Sequence, residues 1–184
     1  MKHKYIAFFK PYGVLCQFTG EPEDKTLSDF GLPKEVYAAG RLDKDSEGLL
    51  ILTDDGAFNQ KLTNPKSQKE KTYLVQVEKV PSEDSLKSLR LGVTIKGGYR
   101  TLPCKARIIQ PTIADRVPPI RERKTVPTSW LEIKVIEGKN RQVRSMTASI
   151  GHPTLRLIRT SIGLYQITNL NPGEWLEVEK GEIL

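Results

Sequence analysis

The chain alternates between short apolar runs and polar breaks, and its longest stretches suit strands better than helices. Residues 4–9 and 13–18 read as two strands around the turn Lys10-Pro11-Tyr12-Gly13. Residues 25–30 fit a short helix, residues 36–40 look extended, and Gly-Leu-Leu-Ile-Leu-Thr at 48–53 is an unbroken apolar run of strand length. Residues 57–62 read as a helix that ends before Asn64-Pro65. Residues 71–78 alternate as a strand, with Tyr73, Val75 and Val77 on one face and Thr72, Leu74 and Gln76 on the other. Ser82 is placed to cap a helix with Glu83 and Asp84 in its first turn, ending near Leu91-Gly92.

Residues 105–110 and 129–136 are further strands. Asn140 is placed to cap a helix over 141–150 that Gly151 stops, with Val143, Met146, Thr147 and Ile150 as its buried face. Arg141 and Arg144, three apart, would project together from the adjoining face. Leu155, Leu157 and Ser161 then alternate with Arg156, Ile158 and Thr160 in a last long strand. Strands outnumber helices and no regular βαβ alternation appears, so the expected class is α+β with a mostly antiparallel sheet. Residues 111–127 depart from this pattern. Pro111, Pro118, Pro119 and Pro127 interleave with Arg116, Arg121, Arg123 and Lys124, which suits either a solvated loop or an RNA-facing arm.

Composition bounds the possibilities. The chain has 184 residues, enough for one long domain or two small lobes sharing a core. No apolar run approaches the ~20 residues of a membrane span. The opening residues lead straight into a strand without a signal-peptide stretch, so a cytoplasmic location is expected. Cys16 and Cys104 stand far apart among apolar or β-branched neighbours and read as small buried hydrophobes. With His3 and His152 as the only histidines, and His152 set in a Gly-His-Pro turn, a zinc site is not expected.

Charge adds a partner. The net charge is +7, and between residues 138 and 173 there is no acid while Lys139, Arg141, Arg144, Arg156 and Arg159 all occur. Such a stretch is the local positive field that phosphate contacts require.

One acidic segment needs a decision. Asp43, Asp45, Glu47, Gly48 and Asp54 nearly reproduce the spacing of an EF-hand calcium loop. The context argues against it, because such a loop needs a helix on each side, whereas Gly40 precedes this one and an apolar strand fills its second half. Asp43 instead follows Arg41 and Leu42 at a Gly-initiated turn, where basic groups can keep a carboxylate ionised and nucleophilic. Asp45 and Glu47 read as loop and turn residues.

The run from Ala39 to Thr53, AGRLDKDSEGLLILT, resembles the signature of the pseudouridine synthases of the ribosomal small- and large-subunit group. Lys10-Pro11-Tyr12-Gly13, Lys71-Thr72-Tyr73, the EGKNRQVR segment at 137–144 and the LIRTSIG segment at 157–163 match in the expected order, so the resemblance spans nearly the whole chain. Residues 118–124 and 127–131 look most like the E-type large-subunit branch.

The resemblance implies a pseudouridine synthase fold about a central active-site cleft in one catalytic domain. Many relatives carry a small RNA-binding domain before it, and none is expected here because the chain opens almost at the first catalytic strand. It implies isomerisation of one uridine to pseudouridine with no cofactor and no metal. Asp43 would be the nucleophile, attacking either the ribose C1′ or the uracil C6. Tyr73 would stack on the target base, Arg144 would pair with Asp43, and Leu157 would wall the pocket. Arg41 would fill the gap left by a flipped-out uridine, with Arg141 and Lys139 as further RNA contacts. The implied substrate is a stem-loop of large-subunit (23S) ribosomal RNA and the implied state a monomer with no membrane partner. A small-subunit rRNA enzyme and a non-catalytic RNA-binding module are the alternatives. Tyr73 could also simply pack a sheet face, and Arg141 could hold the inner role with Arg144 on phosphate. Ser145 stands where relatives often carry a second arginine.

Overall fold

The computed structural model describes residues 2–184. In chain order the elements are β1 (Tyr5–Lys10), β2 (Val14–Leu15), β3 (Lys25–Thr26), β4 (Tyr37–Ala39), β5 (Glu47–Thr53), α1 (Gly56–Thr63), β6 (Lys71–Glu78) and α2 (Glu83–Leu91). They continue with β7 (Lys105–Ile109), β8 (Thr128–Val135), α3 (Gln142–Ser149), β9 (Thr154–Ile162), β10 (Tyr165–Gln166), β11 (Trp175–Glu177) and α4 (Lys180–Ile183). The class is α+β with mostly antiparallel pairing, as the strand-rich pattern implied. These residues fall into two compact units: residues up to Lys69 together with Arg159–Leu184, and Glu70–Ile158.

In the first unit the strand order is β11-β1-β5-β9, with β4 also paired to β5 and β10 to β9. The β1–β5 pairing is antiparallel and runs from Tyr5 opposite Thr53 to Lys10 opposite Gly48. Every residue of β5 is buried, which explains why its sequence is continuously apolar rather than alternating. Leu49 and Ile51 face a core with Tyr5, Phe58, Leu62 and Ile162. Leu50 and Leu52 face a second core with Ile6, Phe8, Leu27, Val36 and Leu42. Leu42, the residue before Asp43, is thereby tied to the sheet.

In the second unit the order is β9-β6-β8-β7. β6 and β8 pair along their full length, from Lys71 opposite Val135 to Glu78 opposite Thr128. Val75 and Val77 of β6, Leu86 and Leu89 of α2, Val143 and Met146 of α3, and Leu157 of β9 form one core. Burying each such side chain contributes on the order of 2 kcal/mol, so both helices are held mainly by this face.

Three expectations need correction. The second strand shrinks to Val14–Leu15, because its partner β3 offers only two residues. The short helix expected over residues 25–30 is narrower: Lys25–Thr26 is a strand, and a one-turn 3-10 helix over Leu27–Phe30 follows, capped by Thr26 and Asp29. Asn140 does not cap α3. The cap position is Arg141, in the left-handed region at φ 49°, and it makes no side-chain cap. Gln142 instead accepts the Lys139 amide at 3.1 Å, which satisfies the turn before the helix. Arg141 is therefore outside the helix whose face it was expected to share with Arg144. β9 is the last long strand, as expected; β10, β11 and α4 follow it, each too short to carry a readable period.

Residues 111–127 contain no regular element but are well anchored. Arg123 forms a two-bond pair with Glu78 at 3.0 and 2.5 Å, and the Ala114 carbonyl accepts Arg156 at 2.8 Å. Arg121 and Lys124 remain exposed.

Candidate active site

β4 delivers the chain to Gly40, where φ of 78° turns it sharply. A side chain would have room there, so the positive φ itself is what calls for glycine. Arg41 is exposed, Leu42 is 7% exposed, and Asp43 is half-buried between them and the turn at Lys44-Asp45. The Asp43 carbonyl accepts the Ser46 amide at 3.1 Å, closing that turn into β5.

Two buried cations hold this loop by its backbone. Arg159 is only 2% exposed; its Nη2 donates to the Gly40 carbonyl at 2.7 Å and its Nε to the Leu49 carbonyl at 2.9 Å. It therefore fastens the two ends of the segment that carries Asp43. Gly48 lets β9 come this close, since a Cβ there would lie 2.2 Å from the Arg159 carbonyl oxygen. Lys10 is fully buried, and its ammonium donates to the carbonyls of Pro11 (2.9 Å), Val14 (2.8 Å) and Lys44 (3.4 Å). The Lys44 carbonyl also accepts the Gly13 amide at 2.8 Å. Burial pushes the Lys10 amine down to about 8, opposed by Cys16 and by the carboxylates of Glu47, Asp45 and Asp43.

Three buried cations correct the sequence reading. Arg159, and Arg156 at 6% exposure, were counted among phosphate contacts; both are buried and donate to backbone carbonyls. Lys10 was read only as part of a turn. The one signal that could have exposed it is a lysine at the inner end of an otherwise apolar strand.

The calcium spacing also dissolves in the fold. β5 runs as a strand through the second half of that pattern, and Asp54 beyond it accepts the Lys4 amide at 2.9 Å and contacts His3 at 3.1 Å. Among the described residues no cluster of three His, Cys, Asp or Glu side chains could hold a metal ion.

The second unit holds the other expected residues. Tyr73 lies half-buried on β6, packed against the core, and Leu157 is buried in it. Lys139 and Arg141 lie in the loop from β8 to α3, and Arg144 lies in the first turn of α3. Lys139 and Arg141 are exposed, Arg144 half-buried. Their loop is fixed by Glu137. Its carboxylate accepts the Tyr99 hydroxyl, the Leu102 amide at 2.9 Å and the Gln142 side chain at 2.8 Å. The hydrogen bond to Glu137 pushes the Tyr99 hydroxyl above its ordinary value, and burial adds to this. The Lys139 ammonium rests 4.7 Å from the Tyr99 ring centroid.

A half-buried carboxylate on a braced turn suits nucleophilic chemistry, and a braced loop of exposed cations suits contact with a polyanion. Residues 4–149 match the sequence pattern of the RNA pseudouridylate synthase family. The chain belongs to that family and is an RNA pseudouridine synthase. It is 56% identical to the ribosomal large subunit pseudouridine synthase E of Vibrio vulnificus, over 96% of this chain and 76% of that protein. Identity to the protein of the same description from Xanthomonas campestris is 54%, covering 92% of each. A solved pseudouridylate synthase superposes on 98% of the chain and 72% of its own, with a TM-score of 0.80 at 27% identity.

Proposed function

We propose that the chain isomerises a specific uridine of large-subunit ribosomal RNA to pseudouridine, with Asp43 as the nucleophile. The similarity to the E-type enzymes of Vibrio and Xanthomonas supports this choice of RNA. The observation that carries the nucleophile is the bracing of the Asp43 loop by Arg159 and Lys10. Their hydrogen bonds fix the backbone before any RNA arrives, so little order remains to be imposed when the substrate binds.

In the reaction the bond from N1 to C1′ breaks, the uracil turns, and a bond from C5 to C1′ forms. The C5 proton is lost and N1 regains one, so no cofactor is consumed. Asp43 attacks C1′ or C6. Tyr73 takes the face of the base with its hydroxyl toward the departing C5 proton, and Leu157 is the apolar wall. Arg144 keeps Asp43 ionised and oriented. Arg41 occupies the stack when the uridine flips out. Lys139 and Arg141 contact phosphate, with the 111–127 arm adding Arg121 and Lys124. The RNA element is a 23S stem-loop, met by one monomer in the cytoplasm.

The test is tritium release from large-subunit rRNA transcribed with [5-³H]uridine, followed with chelator present and no cofactor. Release should stop in Asp43→Asn with its melting temperature kept. An Asp43→Asn protein that releases tritium like the wild type defeats the nucleophile assignment. Release from small-subunit rRNA instead would move the substrate.

A further inference from the structure

Gln17, just past β2, and Asp24, just before β3, reach the two cations that flank Asp43. Gln17 Oε1 accepts Arg41 Nη2 at 3.3 Å, and Asp24 Oδ1 accepts Lys44 Nζ at 3.0 Å. The two tethers differ in kind. Bonds from Lys44 and the Glu21 amide hold the Asp24 carboxyl below the usual carboxylate range, so it stays ionised and neutralises Lys44. Gln17 is uncharged. Its Nε2 donates to the Thr19 carbonyl at 2.6 Å, which leaves the amide oxygen for Arg41. Its own backbone carbonyl accepts the amide of fully buried Leu27 at 2.9 Å, so the residue is fixed from behind. Among the described residues Arg41 is bonded to no carboxylate.

We infer that Gln17 is a positioning residue for Arg41, and that Asp24 masks Lys44, so that one oriented, unneutralised cation beside Asp43 meets the RNA. This rests on the reading above in which Arg41 enters the stack as the uridine leaves. A single long hydrogen bond to a neutral oxygen orients the guanidinium yet exchanges readily for an acceptor on RNA. An ion pair at the same place would have to break first and would leave a carboxylate facing phosphate.

The test uses the full chain and unmodified, transcribed large-subunit rRNA, reading tritium release at saturating RNA, filter binding across salt, and melting. Gln17→Glu should lower kcat on the order of tenfold, and Gln17→Ala by about threefold, with melting kept in both. Asp24→Asn should steepen the salt dependence of binding by about one phosphate contact without raising kcat. As Asp24 also closes its own turn, Lys44→Met provides an independent check: the salt slope should stay at the wild-type value. Wild-type kcat in Gln17→Glu, or equal losses in Gln17→Glu and Gln17→Ala, overturns the role of Gln17. A shallower slope in Lys44→Met overturns the masking of Lys44. A wild-type protein that releases no tritium from this RNA defeats the functional reading and this one with it. Normal wild-type turnover with an indifferent Gln17→Glu defeats this one alone.

Discussion

The loop that carries Asp43 and the loop that carries Lys139 and Arg141 are braced by opposite means. The first presents an acid and is held by buried cations, Arg159 and Lys10, which donate to backbone carbonyls. The second presents cations and is held by one acid, Glu137, which accepts from an amide, an amide side chain and a hydroxyl. In each case the bracing charge opposes the presented one. Each pins the chain around the group that is presented. The bracing depth differs as well. Arg159 and Lys10 are buried, whereas Glu137 is half-exposed, so water softens its grip.

That difference predicts a ranking. Arg159→Met should have the largest effect, because the Gly40 and Leu49 carbonyls lose buried, charge-assisted donors together. The expected loss is about 3 kcal/mol or more, read from the urea midpoint. Glu137→Ala should cost about half as much, since part of what it releases can turn to water. A larger loss from Glu137→Ala would invert the comparison.

Lys10 gives a dependence on pH. Its amine lies at about 8 in the folded protein and near 10.5 unfolded, so between these values the unfolded chain binds more protons. Stability should therefore rise with pH from about 8, and the gain should vanish in Lys10→Met. Urea midpoints of both proteins at pH 8 and 9 measure it; the Cys104 thiol, which burial raises to about 11, opposes the rise equally in both. An equal rise in Lys10→Met would remove Lys10 as its source. The smallest effect belongs to Lys139→Ala. It should leave stability within about 0.5 kcal/mol and reduce the salt slope of RNA binding by about one. An unchanged slope would mean that Lys139 merely covers the Tyr99 ring.

Much of the fold was legible. β6 spans the residues its alternating pattern marked, although both of its faces are partly covered, and Ser82 caps α2 by accepting the Ser85 amide, as its place before two acids suggested. The unalternating GLLILT run could be read as a strand, but its two covered faces could not be read from sequence, because they depend on elements from distant parts of the chain. The 25–30 segment misled for a related reason. Its local capping signals were real, yet they support only one 3-10 turn.

The sequence by itself determined the strand-rich class, the turn at Gly40, and the candidate acid and cations, because each is written in local pattern or in contiguous motifs. Tertiary structure alone decided which charges are buried as supports and which face solvent. Arg159 and Arg141 look alike in a list of basic residues. One is buried across two carbonyls and the other faces solvent, since burial is a property of the packed neighbours and not of the residue.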